Sequence, residues 1–499
     1  MTVTLSGNVD PWPVQVWCSR PELQVKPLEE KGKLTITVPA ECPAGPVWIR
    51  VFNAEGASGL HPFLISSLPE VVETEPNNTI DKAQAISGSS SVVHGKYQSN
   101  NDVDVFSVVL KAGQVLVADL ESNRTLGSPA DPVLQILSAQ GFVLEQNDDD
   151  QGIDPRIVFK APQDATYLIR TFAFPAATNS SIVFSGGANW IYRLTLTTGP
   201  FLDHVMPLTV TRQAPSEVVA FGANLANDAL KLPVPAEASN AVLLTAPQLG
   251  NYRILPTIPF SSLVEVEPNS AMQPQTVVTP VGISGVISDP ADVDCFSFAA
   301  KKGQPLVVKI LARSLGSPID PVLDVYDATG KRLQNVDDKG DNRDPEITWN
   351  PPADGQYQVR VHDLHDRGGS RFFYHVDIAP PQPDVVLTVA TDNFVVPADK
   401  PLEIPVTIDR QAGFKDELEV TVLDLPAGVT AAAVKSAAEG DSAKSVKLSI
   451  TGNGAAFSGP IRIQALSTTE PKSLRQARFL LNEFNSETDR FWLTTIKKP

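Results

Sequence analysis

The segment ETEPNN, starting at Glu73, sets Glu73 and Glu75 two residues apart and follows them with Asn77; NDVDVF, further along, sets Asp102 and Asp104 two apart. In extended backbone, residues i and i+2 project to one side, so each pair presents its carboxylates together. If Asp102 and Asp104 open the strand that contains Phe106, they share its core-facing side at the point where the sheet meets water. Four carboxylates gathered at such a rim repel one another. Calcium removes that repulsion, because it is a hard cation that takes roughly six to eight oxygens from carboxylates, amides, carbonyls and water. Asn77 offers an amide oxygen to the same ion. The alternative is that these acids are solvated turn and edge residues, as Asp and Glu commonly are.

The same chemistry is written twice. EVEPNS from Glu265 and ADVDCF from Ala291 repeat the two acidic segments, and DVDVF at Asp102 returns as DVDCF at Asp292, an offset of 292 − 102 = 190. LGSPADPVL at Leu126 returns as LGSPIDPVL at Leu315, offset 315 − 126 = 189, and DATYLIR at Asp164 answers DGQYQVR at Asp354, offset 190. A module of roughly 125 residues therefore occurs twice. The likeness reaches upstream, where PFLISSLPEVVETEPN resembles IPFSSLVEVEPN and VTLSGNV resembles VVAFGANL. The duplicated unit is a small β domain followed by the larger module.

Strands must position these acids. VFSVVL and CFSFAA alternate, with Phe106, Val108 and Leu110 on one side and Phe296, Phe298 and Ala300 on the other copy's equivalent. Turn signals separate such runs at KAGQ, KKGQ, SAQG and DATG, and at the acidic NDDDQG and DDKGDN. Short strands between turns predict an all-β, multi-domain beaded chain of β-sandwiches. The expected division is 1–70, a small immunoglobulin-like domain; 71–199, the first module; 200–263, a small β spacer; 264–380, the second module; and 384–499, an immunoglobulin-like sandwich entered through the stiff PPQPDV linker. FWLTTIKKP supplies either its last strand or the start of a further element. TIDKAQAI, with Thr79 at a cap position, is expected to make one or two helical turns.

Taken together, E-x-E-P-N-N, D-x-D-x-F, an acidic turn and a closing G-x-Y strand resemble the bacterial pre-peptidase C-terminal (PPC) domain, the family that includes the collagen-binding domains of bacterial collagenases. The resemblance covers two copies and implies jelly-roll-like β-sandwiches, mainly of secreted proteins, with calcium held between the entry segment and a nearby loop. The ligands it implies are Glu73, Glu75, Asn77, Asn78, Asp102 and Asp104, and in the second copy Glu265, Glu267, Asn269, Asp292 and Asp294. Ser270 replaces the second asparagine there, which weakens that copy's expected coordination. Collagen itself is a poor expectation, because Gln358, Arg360 and His362 follow Tyr357 where collagen-binding members carry further tyrosines.

Composition narrows the remaining classes. A 499-residue chain exceeds what one core serves. Forty basic against 57 acidic residues give a net charge of −17, a field that repels phosphate backbones and anionic lipid. No run of about 18 apolar residues occurs, so neither nucleic-acid binding nor membrane insertion is expected. Three scattered cysteines make no four-ligand zinc site; Cys18 and Cys42 either pair or are two small buried hydrophobes, and Cys295 aligns with Val105 as a packing residue. The turns Asp148 to Asp150 and Asp337 to Asp341 lack the order of an EF-hand loop, and His362 with His365 read as a surface pair. No nucleophile elbow, zinc helix or phosphate loop appears. The expectation is a non-catalytic, secreted or cell-surface, calcium-binding interaction protein. Its localisation would be extracellular, cell surface or periplasmic, with the signal peptide absent from this chain. Its expected partner is an extracellular polysaccharide or protein, or a larger surface assembly; a structural spacer or accessory region of a larger secreted hydrolase is the alternative.

Overall fold

A computed structural model describes residues 1–177, 183–225, 230–236, 239–247, 249–340, 342–397, 400–452, 456–470 and 472–495. Among the described residues strands account for nearly all regular structure, and helix is confined to one turn at Asn123–Leu126 and four short 3-10 turns. The expected turns of TIDKAQAI reduce to a single 3-10 turn, Ile80–Lys82, which Thr79 does not cap with its side chain. The backbone is claimed instead by the sheet, since Gln84–Ala85 pairs at once with the strand that carries Phe106.

Each module is a sandwich of two five-stranded sheets. In the first, one sheet runs Val143–Asn147, Ala130–Leu137, Ala165–Pro175, Asp104–Leu110, Gln84–Ala85, and the other Arg156–Lys160, Val115–Glu121, Ile191–Thr197, Ser90–Lys96, Glu70–Val72. The second module repeats this order, strand for strand, from Ser261–Val264 to Phe373–Ala379. Period-2 alternation does what it predicts: Phe106, Val108 and Leu110 enter one core, and Phe296, Phe298 and Ala300 enter another, separate one. The repeated tyrosines, Tyr167 and Tyr357, are buried and donate from their hydroxyls to the carbonyls of Gln163 and Ala353.

Between the modules, two three-stranded sheets enclose a small core around Leu202, Val218, Leu232 and Leu255. So small a core is marginal by itself, and charged contacts tie it to both neighbours. Asp203, in its first strand, accepts from Arg156 of the first module at 2.9 Å and Arg371 of the second at 3.3 Å. Arg371 also grips Asp150 with two bonds, at 2.7 and 3.0 Å. The acidic turn read as a plain loop thus carries an anchor between domains. Of the other acidic turn, Asp341 lies outside the described residues.

Residues 43–45 and 66–381 form one compact unit; residues 1–42, 46–65 and 382–499 form the other. In the latter, the N-terminal pair of three-stranded sheets packs on the C-terminal sandwich. Trp492 meets Trp17 edge-on at 6.3 Å and Phe52 at 4.6 Å, and the Arg50 guanidinium, over the same indole, pairs with Asp392. The first and last domains are therefore partners in space, an arrangement that linear order does not suggest. Cys18 and Cys42 are free thiols packed against the N-terminal core, and Cys295 is fully buried.

Candidate metal centre

The ETEPNN segment crosses the open end of the first module from one sheet to the other. It leaves the edge strand Glu70–Val72, which lies parallel to Ser90–Lys96, and reaches Gln84–Ala85 at the edge of the opposite sheet. Gln84 fixes the crossing by accepting from the Thr74 amide at 2.7 Å and donating to the Val72 carbonyl. Gln275 accepts from Val266 in the same way in the second module. The Val105 amide donates to the Asn77 carbonyl, as Cys295 does to Asn269. Glu73 and Glu75 thus belong to the module itself, and an ion held there would clamp its two sheets.

Asp104 opens the strand that carries Phe106 and is fully buried, while Asp102 sits just before it. One carboxyl oxygen each from Glu75, Asp102 and Asp104 falls in a group whose members are all within 4.8 Å of one another. In the second module the corresponding group is Glu265, Glu267 and Asp294. Glu73 stands behind the first group and reaches Asp104 through Tyr192, whose hydroxyl lies 2.9 Å from Glu73 Oε2 and 2.8 Å from Asp104 Oδ2. Tyr374 repeats this with Glu265 and Asp294 at 3.2 and 2.7 Å. A hydroxyl has one proton and cannot donate to two carboxylates at once. A second proton or a cation must make up the difference.

Asn77, also fully buried, can turn either way. With nitrogen toward the acids it donates to Glu75 Oε2 at 3.0 Å and Asp104 Oδ1 at 3.1 Å. Reversed, its oxygen joins theirs as a cation ligand. Asn78 donates to Asp102 Oδ1 at 2.7 Å, so it positions a carboxylate. Ser270 is too short for that task, and Asp292, held by the Ser288 amide, is not among the second group. Asn269 donates to Glu265 Oε2 at 3.2 Å.

The electrostatics agree with an incomplete charge balance. Burial, reinforced by Glu73, pushes Asp104 up to about 9, and burial pushes Glu73 up to about 7. Asp294 is likewise raised to about 9, by burial and then by Glu265, and Glu265 to about 7, by burial and then by Glu267. Asp294 Oδ1 is buried with no hydrogen-bond partner. The donor set is oxygen alone, which suits calcium and other hard cations rather than zinc or copper.

Sequence reasoning missed two members of the site. Tyr192 and Tyr374 lie in the last strand of each module, and the glycines opposite them, Gly95 and Gly285, are what let the rings pass. A Cβ on Gly95 would stand 2.1 Å from Tyr192 Cζ, and one on Gly285 would stand 2.4 Å from Glu265 Oε2. The glycines share the offset of 190 and were legible; the tyrosines are 374 − 192 = 182 apart and fall out of that register. His362 and His365 face different carboxylates, Asp324 and Asp320, at 3.5 and 3.7 Å.

Comparison with known proteins matches this architecture to one family. The profile of the bacterial pre-peptidase C-terminal domain fits residues 102–173 and again 292–363. A protein of Deinococcus radiodurans described as a probable subtilase-type serine protease is 35% identical over 144 residues, which is 28% of this chain and only 18% of that protein's length. The pre-peptidase C-terminal domain of collagenase from Bacillus anthracis aligns over 23% of this chain and 99% of its own, at 13% identity and a TM-score of 0.18. The M60 catalytic domain with two CBM51 domains of Clostridium perfringens ZmpB aligns over 72% of this chain and 43% of its own, at 9% identity and a TM-score of 0.15. With the profile opening on Asp102 and on Asp292, at the same strand of each sandwich, the two modules of this chain are bacterial pre-peptidase C-terminal domains.

Proposed function

We propose that the chain is a non-catalytic, calcium-binding interaction protein that works outside the cytoplasm, where its sandwiches bind extracellular carbohydrate or protein. The observation that carries the calcium reading is an acid group built twice from corresponding segments around a buried aspartate, Asp104 or Asp294, with Asp294 Oδ1 left unpartnered in one copy. Glu75, Asp102, Asp104 and the Asn77 oxygen would hold the ion in the first module, with Glu73 behind them. Glu265, Glu267, Asp294 and Asn269 would hold it in the second. The bound cation supplies positive charge that lets the buried carboxyls ionise together. Such sites fill where calcium is abundant, which supports an extracellular setting.

Calorimetric titration of the chelator-treated full chain tests this. Two binding events and a higher melting temperature in calcium are expected, and Asp104→Ala should remove one event and spare the other. Identical melting curves in chelator and calcium, with no heat of binding, would return the acids to solvated rim residues.

A second reading, an accessory region of a larger secreted hydrolase, is favoured by the 35% identity to the Deinococcus protein. Mass spectrometry of the native protein checks it: a polypeptide well above 53.6 kDa that includes a protease domain is the outcome expected.

A further inference from the structure

The edge strand Val143–Asn147 of the first module pairs on one side only, with Ala130–Leu137, and ends its sheet. Natural edges are usually blunted by charge, by proline or by a covering segment. This one is entered through Phe142, Val143 and Leu144, which are 71%, 47% and 43% exposed. Ile80, 45% exposed, lies beside the same turn, 3.7 Å from where a Cβ on Gly141 would be. The second module is an internal control, because after the equivalent glycine, Gly330, it places Lys331 and Arg332 where the first has Phe142 and Val143. Leu333 there is partly buried against its core, whereas its counterpart Leu144 is exposed. One duplicated edge is guarded by charge and the other presents apolar side chains. Toward its far end the exposed edge turns acidic, through Glu145, Asp148 and Asp149, with Asp131 near Asp149.

We propose that Val143–Asn147 accepts an extended polypeptide strand from a partner protein, added antiparallel to the sheet. The partner segment carries Lys or Arg at its N-terminal end, against Asp148 and Asp149, and apolar residues at its C-terminal end, against Phe142 to Leu144. Backbone amides give the affinity of such strand addition, and side chains at either end set register and direction. Charge complementarity selects this occupant over a second copy of the chain, since a net charge of −17 on each copy opposes self-pairing. The inference names a partner class for the interaction role without relying on the cation. Failure of peptide binding with calcium-dependent melting intact would leave the calcium reading standing.

The test is fluorescence anisotropy with the full chain and labelled peptides of about eight residues, long enough to span one strand. One begins Lys-Arg and continues in alternating Thr and Val; a second has the basic pair replaced by Glu-Glu; a third carries N-methyl groups on alternate amides. The first should bind, and each of the others should bind at least about tenfold more weakly. The double variant Phe142→Lys/Val143→Arg, which copies the second module, should lose the first peptide by a similar factor at unchanged melting temperature. Equal affinity for the methylated peptide on the wild-type chain would overturn strand addition whatever the variant does. Sedimentation showing a dimer that this variant dissolves would overturn it in favour of a second copy.

Discussion

At Asp104, one buried carboxyl decides how the first site behaves without an ion. Its ordinary value near 3.8 is raised to about 9, by burial first and then by Glu73. A carboxyl raised in the folded state binds more protons there than in the unfolded chain, so it contributes stability below about pH 4 and loses it progressively as pH rises toward 9. The chelated protein should therefore melt at steadily lower temperature from pH 4 to pH 9, while the calcium-loaded protein should show a much flatter profile by scanning calorimetry. Asp104→Asn keeps an acceptor for Tyr192 and removes the charge. In chelator at pH 8 it should be more stable than the wild type by at least about 1 kcal/mol, and it should gain little from calcium. Asn77→Asp should do the reverse: a lower melting temperature in chelator and a larger increase on adding calcium, because it adds a fixed ligand charge to the same group.

Among the elements, the two last strands of the modules matter as much as the acidic segments. Tyr192 can lie between Glu73 and Asp104 because the neighbouring strand presents Gly95, with no side chain to block the ring. Gly95→Ala places a methyl 2.1 Å from that ring, so Tyr192 must move. The variant should lose about 1–3 kcal/mol and the calcium response of the first module, with the second unaffected in the same titration. The strands themselves were legible, since alternation puts Phe106 and Phe296 inward and the repeated offset identifies both modules. The acids were legible for the same reason. Tyr192 was not, because its contacts span 119 residues to Glu73 and 88 to Asp104, and the loop before it differs in length between copies. The crossing role of ETEPNN was also hidden: parallel edge pairing by Glu70–Val72 leaves no local pattern in three residues.

For the whole molecule, the unit that joins the first and last domains sets a dependence that chain order conceals. Arg50 and Asp392 are 342 residues apart and both buried, and the indole of Trp492 lies beside them with Trp17 and Phe52. A buried ion pair is weak evidence of net stabilisation, because desolvation offsets its attraction, yet removing one partner strands a charge. Arg50→Ala should therefore cost about 3–5 kcal/mol in the unit that contains residues 382–499, whereas exchanging both residues for apolar ones of similar volume should cost far less. Deleting residues 1–65 also uncovers Trp492 and should lower the melting transition of the C-terminal sandwich. The melting transition of the modules is the internal reference, since their cores are separate from this one. Calorimetry with tryptophan fluorescence follows both events: Trp492 reports the unit that holds the C-terminal sandwich, and Trp349, in the second module's core, reports the modules. A C-terminal sandwich that melts at the same temperature with and without residues 1–65 would show that it stands alone and that the packing seen at Trp492 adds nothing to its stability.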